Sequence, residues 1–211
     1  MRFKHIIWDY DGTLFDTYPA MAEAFRDALL ERGISEPADE IMSLMKISMR
    51  EARAHYTGRH SLDDTFFERF EELRGCIEIE KARPFDGVVD LCNAVCKQGG
   101  KNYLFTHRGK SAVKFMEQYG LLVSFTELIT EERNFANKPS PEAVLHLMFT
   151  HGFSGDEAIM VGDRDIDVLS AQNAGIHSCY FSSHSEKSSI AEYSAESVAE
   201  LLGIFGISTG A

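Results

Sequence analysis

The stretch "IIWDYDGTLFD", residues 6–16, contains an apolar run that leads directly into two aspartates, a glycine and a threonine. In an extended strand, residues i and i+2 lie on the same face, so we expect the carboxylates of Asp9 and Asp11 to lie side by side where the strand ends. Neighbouring anions raise each other's carboxyl pKa, and an uncompensated buried charge is costly. The stretch therefore predicts a buried strand that ends at a site holding a proton or a cation between two carboxylates.

Other short apolar runs predict further strands, and helical patterns separate them. The helical segments cover Asp86–Lys97 and Lys110–Tyr119, and a third has Ser140 as its N-cap and Pro141 as its first residue. Alternating strands and helices predict an α/β fold, a doubly wound parallel sheet with a Rossmann-like core, covered on both faces. The predicted strands are Phe3–Trp8, Asn102–Phe105, Leu128–Thr130, Ala158–Val161 and Ser178–Phe181.

The gap between the first two strands is far longer than the roughly thirty residues of a βαβ unit, which indicates an insertion. Residues 15–80 have helical patterns at Ala20–Arg32, Asp39–Tyr56 and Asp64–Arg74, separated by the breaks "RGISEP" and "YTGRHS". We therefore expect a Rossmann-like catalytic core formed by residues 1–14 and 81–211, with a small α-helical cap domain at residues 15–80.

The composition excludes several classes of partner. The 211 residues include 33 Asp and Glu against 21 Lys and Arg, a net charge of -12. This charge would repel nucleic acid and anionic membrane surfaces, so we expect neither as a partner. The sequence has no apolar run of membrane-spanning length, and its first residues lack the apolar stretch of a signal peptide, so we expect a cytoplasmic protein.

The four cysteines have neither CxxC spacing nor the density of a disulfide-stapled domain. Cys92 and Cys96 lie four residues apart on a predicted helix, a spacing that would also suit a metal or redox pair. Because Val88, Leu91 and Val95 share that side of the helix, we expect both thiols to be reduced and packed in the core.

Polar side chains follow three of the other predicted strands. They are Thr106 in "YLFTHRG", Lys138 in "FANKPSPE", and Asp163 with Asp167 in "IMVGDRDIDVLSAQNAG". In an open α/β sheet, ligands bind beyond the carboxyl ends of the strands, so we expect these groups to converge with Asp9 in one crevice. Several carboxylates and one lysine predict a hard divalent cation, for which Mg²⁺ is suited, and Mg²⁺ favours a phosphate substrate.

Taken in order, "DYDGT", Thr106, Lys138 and "GDRDID" resemble the four motifs of the haloacid dehalogenase superfamily, and they span nearly the whole chain. The fourth motif departs from the usual GDS or GDT start because Arg164 replaces the small polar residue. The resemblance is to the phosphoglycolate phosphatase and β-phosphoglucomutase branch, whose helical cap is inserted after the first motif. It implies an enzyme that acts on phosphoric monoesters.

The resemblance also implies a role for each motif residue. Asp9 would be the nucleophile that forms an aspartyl-phosphate, and Asp11 would be the general acid and base. Mg²⁺ would be held by the side chains of Asp9 and Asp163, by the backbone carbonyl of Asp11, and by Asp167 directly or through water. The phosphoryl oxygens would be bound by Thr106, Lys138 and the backbone N–H groups of the turn at Gly12.

Three further predictions concern residues to which the resemblance gives no role. His107 and Arg108 directly follow Thr106 and could approach the substrate's leaving group, although an exposed histidine is the alternative. Arg50 and Arg53 lie with Lys46 at i, i+4 and i+7, which on one helix would form a cationic face that either binds substrate or is merely solvated. Asp165, two residues from Asp163, should face away from the site.

We therefore expect a Mg²⁺-dependent phosphatase that hydrolyses a small phosphorylated metabolite and is a monomer or homodimer. The alternatives within the fold are a phosphomutase, a phosphonate hydrolase and a dehalogenase. Asp11 argues against a dehalogenase, and Lys46 is the only lysine before Lys81 in the insert that could serve a phosphonate hydrolase. The alternative from another class is a non-catalytic phosphate- or metal-binding module.

Overall fold

The computed structural model describes residues 1–182 and 188–207. The chain forms two compact units: an α/β unit made of Met1–Leu14 and Pro84–Ala211, and a helical unit made of Phe15–Arg83. The division after residue 83 lies beyond the predicted boundary at residue 80, because the last helix of the helical unit continues to Lys81.

The α/β unit contains a six-stranded, all-parallel sheet, as the alternating pattern predicts. Its spatial order is β5-β4-β1-β6-β7-β8, and β2 and β3 form a separate two-stranded pair. The strands are β1 (His5–Trp8), β2 (Phe15–Asp16), β3 (Arg83–Pro84), β4 (Lys101–Phe105), β5 (Phe125–Ile129), β6 (Ala158–Gly162), β7 (His177–Phe181) and β8 (Tyr193–Ala195).

The first strand lies at the centre of this sheet. Trp8 at the end of β1 is paired with Leu104 of β4 on one side and with Val161 of β6 on the other. The connections therefore reverse direction on either side of β1, which is the topological switch point at which such sheets bind ligands. The segments that follow these three strands leave the sheet next to one another.

The helical unit has a core made largely of aromatic rings. Its helices are α1 (Tyr18–Glu31), α2 (Ala38–Ile47), α3 (Met49–His60) and α4 (Asp64–Lys81). The ring of Phe25 in α1 lies 5.3 Å from that of Tyr56, 5.0 Å from that of Phe66 and 5.2 Å from that of Phe70, centroid to centroid. Tilted and edge-on contacts at these distances join α1, α3 and α4.

The prediction of one helix over Asp39–Tyr56 is wrong, because the chain breaks at Ser48. Ser48 has an extended backbone (φ -170°), and its Oγ accepts a hydrogen bond of 3.0 Å from the backbone N–H of Glu51. It is therefore the N-cap of α3. Lys46 lies in α2 whereas Arg50 and Arg53 lie in α3, so the three cations do not form one continuous helix face.

The remaining helices cover the sheet: α5 (Val88–Lys97), α6 (Lys110–Gln118), α7 (Glu142–His151), α8 (Asp165–Ala174) and α9 (Val198–Phe205). The helix α7 begins one residue later than predicted, with Pro141 as N-cap, while Ser140 Oγ accepts a hydrogen bond from the N–H of Glu142.

Cys92 is buried, but the prediction that Cys96 is also in the core is wrong: Cys96 is exposed and donates to the Ser124 carbonyl. None of the described helices is long and apolar enough to cross a membrane.

Candidate active site

Asp9 is the residue that follows β1, and the sheet holds it in place. Its backbone N–H donates to the carbonyl of Val161 in β6 (2.9 Å), which continues the strand pairing by one residue. Its carboxylate is only 2% exposed, and Oδ1 lies 2.5 Å from Nζ of Lys138. Asp9 Oδ2 is also buried and makes no hydrogen bond to any described residue.

Lys138 is fully enclosed between two carboxylates. Its Nζ lies 2.5 Å from Asp9 Oδ1 and 2.7 Å from Asp167 Oδ1, and it also lies 4.8 Å from the ring centroid of Phe105. Burial alone would lower the pKa of this lysine, but the charges of Asp167 and Asp9 outweigh burial and raise it. Lys138 is therefore a permanent cation at the centre of the site.

Asp167 reaches the site from the first turn of α8. Its Oδ2 accepts a hydrogen bond from the backbone N–H of Arg164 (3.1 Å), which ties the carboxylate to the start of the helix. Gly162 at the end of β6 is required here, because a Cβ at that position would lie 2.3 Å from the Asp167 side chain. Strand β6 and helix α8 can therefore bring Asp167 directly against Lys138.

Asp9, Asp163 and Asp167 form a cluster in which one carboxylate oxygen from each lies within 4.8 Å of the others. Burial raises the pKa of Asp9, and the nearby Asp167 raises it further, against the opposing effect of Lys138. Three hard oxygen donors, with Asp9 Oδ2 buried and without a hydrogen-bond partner among the described residues, fit a hard divalent cation such as Mg²⁺. Asp165 lies outside this cluster, as predicted: it is exposed and accepts a hydrogen bond from Ser188 Oγ.

The turn after Asp9 depends on Gly12, which has a positive φ of 75°. Only glycine adopts this conformation readily. The N–H of Leu14 donates to the carbonyl of Tyr10 across the turn (3.1 Å). The side chain of Asp11, two residues after Asp9, is partly exposed and lies 3.2 Å from the guanidinium of Arg108.

Thr106 and His107 follow β4, next to β1. Thr106 is buried, and its Oγ1 accepts a hydrogen bond from the backbone N–H of Arg108 (3.1 Å). Nε2 of His107 accepts from the backbone N–H of Lys138 (3.0 Å). Burial and the charge of Lys138 lower the pKa of His107 to about 4, so the ring is neutral at physiological pH. This ring therefore fixes the backbone that carries Lys138, a contact that does not depend on a substrate.

Of the predicted cationic residues of the insert, Arg50 and Arg53 are on α3 and exposed. The guanidinium of Arg53 lies 3.8 Å from the ring centroid of Phe67, which is a cation–π contact within the helical unit. Arg53 also lines a groove with four acidic residues of α4. Substrate binding by Arg50 and Arg53 stays a prediction. The acidic residues of the groove are Asp64, Glu68, Glu71 and Glu72.

Two arginines near the motif residues lie beside carboxylates of the motifs. Arg108 is buried and forms the ion pair with Asp11, and Arg164 Nε lies 3.9 Å from Asp163 Oδ1. Their positions in the sequence place both arginines near the site, because Arg108 is two residues after Thr106 and Arg164 immediately follows Asp163. Neither position by itself predicts which carboxylate the guanidinium meets.

Comparison with known proteins gives one family. The model of the haloacid dehalogenase-like hydrolase family matches residues 6–181. A phosphoglycolate phosphatase of Vibrio parahaemolyticus is 26% identical to this chain over 231 residues, covering 97% of each protein. A 5'-nucleotidase of Pseudomonas aeruginosa is 27% identical over 188 residues, covering 83% of this chain and 81% of its own.

Solved structures have the same fold. A hydrolase from Streptococcus pneumoniae TIGR4 superimposes with a TM-score of 0.70 at 27% identity, covering 98% of this chain and 100% of its own. The matched length spans both the α/β unit and the helical insert. The predicted α/β fold with an inserted helical segment is confirmed.

Proposed function

Because the chain belongs to the haloacid dehalogenase-like hydrolase family, we propose that it is a Mg²⁺-dependent phosphatase that hydrolyses a small phosphomonoester through an aspartyl-phosphate. The observation that carries this proposal is the buried contact of Asp9 with Lys138, beside Asp163 and Asp167, at the switch point of the sheet. The cation lowers the cost of ionising the nucleophile, and the cluster is suited to a divalent ion.

In the first step, an oxygen of Asp9 attacks phosphorus and forms a P–O bond in line with the ester oxygen. The ester P–O bond breaks, and the leaving alkoxide takes a proton from the carboxyl group of Asp11. A carboxylate nucleophile is a known means of splitting a difficult transfer into two easier steps. The product alcohol leaves and Asp9 carries the phosphoryl group.

In the second step, a water molecule attacks the phosphorus of the aspartyl-phosphate. The carboxylate of Asp11 accepts the water's proton, the P–O bond to Asp9 breaks, and inorganic phosphate is released. Asp9 and Asp11 thereby return to their initial states. The separation of the two residues by a single position allows one to act as nucleophile while the other handles protons.

The remaining groups stabilise charge on the phosphoryl oxygens, which is the main requirement of phosphoryl transfer. Lys138 supplies a fixed positive charge, and Thr106 and the turn at Gly12 supply hydroxyl and backbone donors. Asp9, Asp163 and Asp167 would hold Mg²⁺, which when bound neutralises negative charge on the transferred group as a Lewis acid.

The names of the relatives support the proposed substrate class. The relatives are named for phosphoglycolate and for 5'-nucleotides, both phosphomonoesters. We propose that the substrate is a small phosphomonoester of this kind and that the helical unit acts as a cap. Cytoplasmic location and a monomeric or homodimeric state stay predictions.

The experiment that tests this function measures phosphate release from a panel of phosphate esters with Mg²⁺ and with EDTA. We expect turnover only with Mg²⁺. Release of free phosphate would identify a phosphatase, whereas formation of a phosphorylated isomer would identify a mutase. Asp163→Ala should abolish both activity and Mg²⁺ binding measured by calorimetry, because a methyl group cannot replace a hard-cation ligand.

The matched control is Asp165→Ala, which removes a carboxylate two positions away and outside the cluster. It should retain both Mg²⁺ binding and turnover. Equal losses in the two variants would refute the assignment of Asp163 as a metal ligand.

A further inference from the structure

Arg108 is a buried cation that the steps above do not use. Its side chain is only 2% exposed, and its Nη2 lies 3.2 Å from Oδ1 of Asp11. Arginine is always charged, and a buried charge requires a compensating partner. The ion pair is therefore a fixed part of the α/β unit. The carboxylate in it belongs to Asp11, the proposed general acid and base.

The loop that carries Arg108 is fixed on two sides. The N–H of Arg108 donates to Thr106 Oγ1 (3.1 Å), and its carbonyl accepts from the N–H of Glu131 (3.2 Å), in the segment after β5. Two residues further on, the N–H of Lys110 donates to Glu132 Oε1 (2.9 Å). These contacts set the direction from which the guanidinium can approach Asp11.

The two partners of this ion pair differ sharply in exposure. The guanidinium carbon of Arg108 lies 5.1 Å from the ring centroid of the buried Tyr10, and its side chain is 2% exposed, whereas that of Asp11 is 23% exposed. The arginine thus holds the carboxylate from its buried side, while part of Asp11 stays open to solvent.

We propose that Arg108 is a positioning residue that orients the Asp11 carboxyl toward the leaving-group oxygen and later toward the attacking water, without touching the substrate itself. This inference rests on the proposed phosphatase function. The rigid, planar guanidinium fixes a carboxylate better than a flexible side chain could. A displacement of a reacting group by about 1 Å can cost on the order of a hundred-fold in rate, so this orientation has a measurable effect.

A positioning role predicts a dependence on the leaving group. An alkyl phosphate needs protonation of its leaving oxygen, whereas para-nitrophenyl phosphate releases a stable phenolate and needs little acid assistance. For Arg108→Met we expect kcat/KM to fall roughly ten- to a hundred-fold on an alkyl phosphate and to change little on para-nitrophenyl phosphate. The ratio of the two values is independent of the folded fraction of the variant.

Two further variants separate positioning from other roles. Arg108→Lys keeps the positive charge and should restore part of the activity on the alkyl ester. The matched control Arg133→Met removes an arginine that pairs with Glu127 and should leave the ratio unchanged. A purely structural role of Arg108 would lower both activities in proportion and leave the ratio constant.

The double variant gives the sharpest test. If Arg108 acts through Asp11, then Asp11→Asn with Arg108→Met should be no slower than Asp11→Asn alone, since groups that act as a unit are not additive. Multiplied losses, or an unchanged leaving-group ratio in Arg108→Met, would overturn the inference while leaving the phosphatase function in place. A wild-type protein that hydrolyses neither ester would refute the proposed function and this inference with it.

Discussion

The buried Lys138 compensates the charges of two carboxylates in the site. The spacing of the motifs places a lysine near the carboxylates, but the structure has it directly between Asp9 and Asp167. The positive charge compensates two carboxylates that are almost fully buried and would otherwise be costly to ionise. This pairing brings the proposed nucleophile Asp9, the cation Lys138 and the carboxylate of Asp167 together before any substrate is present.

The lowered pKa of the buried His107 makes the stability of the protein depend on pH. Burial and Lys138 lower the pKa of His107 from 6.5 to about 4, and burial and Lys101 lower that of His5 by a similar amount. As the pH falls below 6.5, the unfolded chain takes up protons at these histidines while the folded protein does not. The free energy of unfolding should therefore fall between pH 6.5 and 4, by about 1.4 kcal/mol per pH unit for each proton.

The variant His107→Gln keeps an acceptor for the Lys138 N–H but removes the titrating ring. Urea unfolding in EDTA across this pH range should show a slope smaller by about one proton than that of the wild type. His5→Gln, as a comparison, should remove a similar share. A slope that is unchanged in His107→Gln would mean that this histidine titrates normally in the folded protein.

At the scale of elements, the break between α2 and α3 has a local cause. Residues Ser48 to Glu51 match the pattern Ser-x-x-Glu, which marks the start of a helix. The spacing of apolar and cationic residues continues past Ser48 and by itself favours one helix. The N-cap at Ser48 nevertheless ends α2 and begins α3. The sequence therefore contains the capping signal that ends α2 and begins α3 at Ser48.

This break predicts the effect of a substitution. Ser48→Ala removes the acceptor for the Glu51 N–H and should destabilise the helical unit by about 1 kcal/mol, as loss of an N-cap does. Faster hydrogen exchange at the Glu51 amide should accompany a lower urea midpoint. The control Ser43→Ala changes an exposed serine within α2, whose Oγ only donates to the Asp39 carbonyl, and should be neutral. Equal effects of the two substitutions would contradict the capping role.

Elements with a strong apolar pattern were predictable, and weakly patterned ones were not. The strands β1, β4 and β6 are nearly fully buried runs and were predicted to within about two residues. The strand β8 was not predicted because its three residues, Tyr193–Ala195, are too few to show a periodicity. Helix ends differ by one or more residues because caps, not apolar patterns, decide them.

For the whole molecule, the sequence predicts which residues meet but not how they pair. Parallel strands that end at one edge bring Asp9, Thr106 and Asp163 together whatever the details of the loops. The contact of Arg108 with Asp11 depends on loops after β4 and β5 whose hydrogen bonds no local pattern reveals.

Asp9 and Asp11 have separate tasks in the proposed reaction, and the mass of the intact protein distinguishes them. Each of the variants Asp9→Asn and Asp11→Asn is mixed with Mg²⁺ and an activated phosphate ester, and its intact mass is recorded over time. Because a good leaving group needs little acid assistance, Asp9 in the Asp11→Asn variant should still be phosphorylated. Hydrolysis of the resulting aspartyl-phosphate should be slower than in the wild type by roughly a hundred-fold or more. We predict that Asp11→Asn gains one phosphoryl group and that Asp9→Asn gains none; full steady-state turnover by either variant would contradict the account.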